Sequence, residues 1–115
     1  MNPLVTFNSS ENRTEHRCSW VRKAHVEVQG LGTINVRTHD ISEHGLCFFA
    51  EEPLKEGSLC NISTRLYLSD SIQVLKVSGK VVYCWLSGMQ GYRIGIEFRK
   101  LDEHAKKLLR EIVNR

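Results

Sequence analysis

The sequence predicts a mainly all-β fold: a six-stranded antiparallel β-barrel followed by one C-terminal α-helix. Three observations lead there. Apolar and polar residues alternate in six short runs between Ala24 and Phe98. Segments rich in Gly, Ser, Asp and Pro separate those runs. After Phe98 the apolar period lengthens from two residues to that of a helix. Closure into a barrel removes the edges that an open six-stranded sheet would leave exposed.

The elements follow in order. Residues 1–19 have no steady period and are rich in Asn, Ser and Glu, so they read as a mobile N-terminal arm. Residues 20–115 read as the barrel and its helix. Ala24, Val26 and Val28 share one face of the first strand, and the turn Gly30-Leu31-Gly32 leads to Ile34 and Val36 in the second. A polar stretch, His39 to Gly45, precedes a third strand with Leu46, Phe48 and Ala50. Glu51–Gly57 is a loop, and Cys60, Ile62, Thr64, Leu66 and Leu68 make a fourth strand. In the fifth, Leu75, Val77, Gly79, Val81, Tyr83 and Trp85 share a face. Ile72 and Val74 have the opposite parity, which predicts a bulge near Val74–Leu75. Tyr92, Ile94, Ile96 and Phe98 form the sixth. Leu101, Ala105, Leu108, Leu109, Ile112 and Val113 then trace one stripe of a helix over 102–114, with Asp102 as its N-cap.

At 115 residues the chain is one domain, long enough to hold a core unaided. The longest apolar run, Val81–Leu86, is far too short for a membrane span, and the first residues do not resemble a secretory signal. Sixteen basic against thirteen acidic residues give a net charge of +3. The excess lies in the helical segment from Arg99 to Arg115, so the barrel carries no basic footprint of nucleic-acid binding. Cys18, Cys47, Cys60 and Cys84 form no CxxC motif and read as buried free thiols in a cytoplasmic protein. Four cysteines can also pair in three ways, among which spacing does not choose.

Two clusters stand apart from the core pattern. Arg13 and Arg17 form an RxxxR in the arm, and Asp40, Ser42 and Gly45 form a DxSxxG about 23 residues later. Taken alone, the first is a pair of solvated charges. The second, taken alone, is a turn in which Asp and Ser bond the backbone and Gly45 supplies a positive φ.

In this order and spacing, the two clusters resemble the paired signature of the PilZ domain, a bacterial receptor family for cyclic di-GMP. Gly91-Tyr92-Arg93-Ile94-Gly95-Ile96-Glu97-Phe98 is similar to that family's last barrel strand, and the resemblance spans nearly the whole chain. It implies a split-barrel fold that agrees with the alternation count. It also implies cyclic di-GMP as ligand, with no cofactor and no metal. By resemblance, Arg13 and Arg17 grip phosphates and guanine edges, Asp40 and Ser42 hydrogen-bond a guanine, and Gly45 lets the backbone turn. The residue types suit the ligand. A guanidinium makes bidentate contacts with phosphate or with guanine O6 and N7. A carboxylate accepts from guanine N1–H and the N2 amine. Asn12 stands where many members have another basic residue. Arg22 and Arg93 could add contacts, although no motif supports naming them, and Arg93 reads equally well as a solvated residue of the outer strand face.

The function expected is that of a stand-alone cyclic di-GMP receptor and effector. Binding would order the arm over the barrel, and the signal would pass to a separate, unidentified effector protein in motility, exopolysaccharide or biofilm control. No catalytic constellation is present, so the chain is not read as an enzyme, and His39, His44 and Cys47 fit no standard zinc spacing. The alternative is a PilZ-like adaptor that binds no nucleotide. Further behind is a nucleic-acid module stacking bases on Trp20, Tyr67, Phe48 and Phe49, side chains more simply placed in the core.

Overall fold

A computed structural model describes residues 17–114. The strands are β1 (Cys18–Ser19), β2 (Lys23–Val28), β3 (Gly32–Ile41), β4 (Gly45–Ala50), β5 (Leu59–Tyr67), β6 (Ile72–Leu86) and β7 (Tyr92–Arg99), followed by helix α1 (Glu103–Val113). All pairings are antiparallel, in the order β1-β3-β2-β5-β6-β7-β4, and a further β3–β4 pairing closes the sheet. Strands β2 to β7 are thus the six of the predicted barrel.

The first hairpin forms where the glycines allow it. Gly30 and Gly32 take φ of 81° and 110°, values that strain a residue with a Cβ. β1 is an addition to the predicted set. Cys18 and Ser19, placed in the arm from sequence, pair with Ile41 and Asp40 at the far end of β3. Thr38, buried in the core, spans the gap between β1 and β2. Its hydroxyl donates to the Trp20 carbonyl at 2.6 Å and accepts from the Arg22 amide at 2.8 Å.

Alternation puts Val26, Ile62, Leu75, Val81, Phe48 and Ile94 into one core. Leu108, Leu109, Ile112 and Val113 of α1 join it. Full burial of each such side chain stabilises by about 1.5–3 kcal/mol. Asp102 caps the helix as expected, its carboxylate accepting from the Ala105 amide at 2.8 Å. The four cysteines are free thiols; Cys47 and Cys60 are buried, whereas Cys18 and Cys84 are half-buried.

Two expectations are corrected. The β5–β6 register runs unbroken from Leu59↔Lys80 to Tyr67↔Ile72, so no bulge lies at Val74–Leu75. Ile72 and Val74 simply face outward and are exposed. The shift in β6 lies between Val81 and Tyr83 instead. The extra residue there, Val82, reverses the parity, so Cys84 packs toward the core and Tyr83 and Trp85 leave the face they were expected to share with Val81. The second correction is Gly45, which has no positive φ. Its glycine requirement is steric: a Cβ there would lie 2.2 Å from the Ile96 carbonyl oxygen of β7.

Gly45→Ala should therefore cost about 1–3 kcal/mol by overpacking against backbone. Thermal unfolding should show a Tm lower by roughly 4 °C or more; an unchanged Tm would contradict the contact. A second expectation concerns alkali. Burial pushes the Cys60 thiol up from 9.0 to about 11. The folded chain holds that proton more tightly than the unfolded one, so the contribution to stability is complete below pH 9 and lost as pH rises through 11. Denaturant midpoints should fall between those values, and fall less in Cys60→Ala; equal falls would refute the assignment.

Candidate functional site

The outer face of β3, β4, β7 and β6 carries two rows of residues set by the registers. One row is Asp40, Cys47, Gly95 and Tyr83; the next is Arg37, Phe49, Arg93 and Trp85. Two bulges build this face. In β3 the register shifts between Thr38 and Asp40, with His39 as the extra residue. Asp40 is thereby turned outward while Thr38 and Ile41 stay buried. In β6 the Val82 bulge brings Tyr83 and Trp85 to the same side. Their rings stack at 4.2 Å and 23°.

Asp40 is the electrostatic centre. Its Oδ1 receives the Arg17 guanidinium at 2.5 Å, and its Oδ2 lies 3.5 Å from Nη2 of Arg93. The His39 ring is 3.9 Å from Oδ2 and meets Phe49 edge-on at 5.4 Å. Arg93 is held from the other side by Tyr83, whose hydroxyl accepts from Nε at 3.4 Å. The Tyr83 ring lies across Gly95, where a Cβ would come within 2.1 Å of it. Burial pushes the Tyr83 hydroxyl up to about 12, so it stays protonated at neutral pH. Cys47 lies buried beneath this group. Burial raises its thiol, against opposing effects of a Tyr83 hydrogen bond and the Arg93 charge.

The sequence-derived site residues therefore fall into three places. Arg17 and Asp40 meet directly across the 23 residues between them. Ser42 and Gly45 shape the loop between β3 and β4. Ser42 is buried, and its hydroxyl accepts from the amides of His44 at 3.1 Å and Gly45 at 3.2 Å. The His44 carbonyl in turn accepts from the Phe98 amide at 2.8 Å, which ties the loop to β7. Arg13 lies outside the described residues. Arg93 and Tyr83 join this cluster, although the sequence shows Arg93 only within the last-strand similarity and puts Tyr83 on the core face of its strand. Arg93 has the right parity on the last strand to face outward, but its partner on β3 follows only from barrel closure. Tyr83 was hidden by the Val82 bulge.

A cleft of about 1140 Å³ borders the site, with Arg37, His39 and Phe49 in its wall. Together, the face offers two cations, one carboxylate, stacked aromatics and an open approach. That set suits a ligand with anionic groups and planar, hydrogen-bonding rings. Among the described residues no cluster of His, Cys, Asp and Glu could hold a metal ion, and no helix is long and apolar enough to cross a membrane.

Similar proteins agree with this architecture. The PilZ domain of YcgR from Escherichia coli, solved with cyclic di-GMP, superposes with a TM-score of 0.68 at 16% identity, over 89% of this chain and 88% of that one. The PilZ domain of CeSA from a cellulose-synthesizing bacterium gives 0.64 at 17% identity, over 86% and 95%. The Bacillus subtilis inhibitor of motility, MotI (DgrA), gives 0.75 at 14% identity over 90% of this chain. The chain spans about half of that protein, 49% of its length. At these identities the likeness establishes the fold. No curated protein sequence matches significantly. Residues 11–115 match the PilZ domain family, a stretch that takes in the RxxxR, the barrel and the helix, and the chain belongs to that family.

Proposed function

We propose that the chain is a cyclic di-GMP receptor that binds its ligand on the outer face around Asp40. The observation that carries this reading is the convergence of Arg17 on Asp40, which joins the segment before the barrel to the barrel face. Family membership and the cyclic di-GMP bound to the YcgR domain support it.

The chemistry is an exchange of partners. Arg17 and Asp40 pair with each other on this face. Cyclic di-GMP brings two phosphodiesters for Arg13 and Arg17 and a guanine edge for Asp40, so both members of the pair find new partners of matching charge or hydrogen-bonding sense. Ser42, expected at a guanine, is buried with its hydroxyl on the loop amides, and with Gly45 it serves by holding the loop that presents Asp40 against β7. The ligand orders the N-terminal arm over the barrel, and the altered surface is read by a separate effector protein. The receptor works in the cytoplasm, in control of the motility or biofilm class, and is not an enzyme.

Isothermal titration should show micromolar or tighter binding of cyclic di-GMP, and none of GTP or cyclic di-AMP. Absence of binding would overturn the receptor reading in favour of an adaptor. Arg17→Ala should weaken binding most, by about 1.5–3 kcal/mol, tenfold or more. Arg13→Ala and Asp40→Ala should also weaken it, whereas Lys106→Ala, exposed on α1 beside Glu103, should not. Equal affinity of Arg17→Ala and wild type would contradict the assignment. Saturating ligand should slow amide exchange in residues 8–20; unchanged exchange there would refute the ordering step.

A further inference from the structure

We propose that Arg93 is the positioning residue for Asp40 and thereby sets selectivity for guanine. This rests on the receptor reading above. The two oxygens of Asp40 are divided between two cations, Oδ1 with Arg17 and Oδ2 with Arg93. The cations differ in how they are held. Arg17 immediately precedes the two-residue strand β1. Arg93 lies in β7, paired with Phe49 of β4 on one side and Trp85 of β6 on the other.

The guanidinium of Arg93 is further fixed through Nε by Tyr83. Tyr83 is itself fixed, because its ring lies across Gly95 and stacks on Trp85. A chain of contacts thus runs from a missing Cβ on β7 to the orientation of a carboxylate on β3. When Arg17 turns to a phosphate, Arg93 stays. It keeps Oδ2 occupied, holds the carboxylate plane and offsets its negative charge beside an anionic ligand. Oδ1 is then left for the guanine N1–H and N2 amine. Arg93 acts through Asp40 and need not touch the ligand.

The test is a double-mutant cycle read by titration with cyclic di-GMP and with cyclic di-IMP, whose hypoxanthine lacks the N2 amine. Arg93→Ala should weaken cyclic di-GMP about tenfold, the scale of a lost charge-assisted contact. In the Asp40→Ala background the same change should cost less than about twofold, because the residue it positions is gone. Preference for cyclic di-GMP over cyclic di-IMP should shrink alike in Arg93→Ala and Asp40→Ala. A purely structural defect would weaken both ligands equally. Should Arg93→Ala fail to fold, Tyr83→Phe, which removes only the hydroxyl holding Nε, should shift the preference in the same direction. Equal loss with and without Asp40, or an unchanged preference in the folded variants, overturns the proposal while leaving the receptor reading intact. Failure of the wild type to bind either ligand overturns both.

Discussion

The barrel depends on one close approach, that of β4 to β7. β4 is short, yet it pairs with β3 on one side and β7 on the other, so it is the strand that closes the sheet. Closure requires the chain to leave β3, reverse within a few residues and set Gly45 directly against the Ile96 carbonyl. The reversal is held by the Ser42 hydroxyl, buried and bonded to the loop amides, and by the His44 carbonyl on the Phe98 amide. Asp40 stands just before this loop, so the segment that closes the barrel also aims the carboxylate. The DxSxxG signature combines both tasks: Ser42 and Gly45 hold the loop, and Asp40 presents a half-buried carboxylate on the outer face.

The site gains little stability from its ion pairs. Exposed or half-exposed salt bridges contribute about 0–1 kcal/mol each, because solvent screens them and two long side chains lose freedom. Arg17 and Asp40 are both partly exposed in the pair. Their value is in arrangement. The apolar work is done on the other side of the same strands, where Phe48, Ile94, Val81 and the α1 stripe supply the burial that holds the face rigid. A rigid platform with weakly held partners is suited to exchanging one ionic contact for another.

Much of this was legible in the sequence. Strict alternation on β2 and β5 and the change to helical period after Phe98 report burial on one side of each element, which is a local property. The cap at Asp102 and the turn at Gly30–Gly32 are local as well. What escaped were non-local consequences of bulges. In β6, Ile72 and Val74 looked like core because they are apolar, and a bulge was assigned to reconcile them with Leu75. They are exposed apolar residues, and the true bulge at Val82 sits inside an apolar run where parity carries no signal. That displaced Tyr83 and Trp85 from core to surface. Arg93 reads from the sequence as no more than a solvated strand residue for a related reason: its neighbour Asp40 is distant in sequence and comes beside it only through β4. At Gly45 the turn signal suggests a dihedral reason for glycine, whereas the structure supplies a steric one.

The receptor proposal puts cyclic di-GMP on the face around Asp40. It is tested most directly by a nuclear magnetic resonance titration that follows backbone amides and arginine Nε–H groups together. The account predicts saturable shifts at Arg17, Asp40 and Arg93, with the β2–β3 turn around Gly30 unmoved. Shifts confined to that turn, or none at ligand excess, would contradict it.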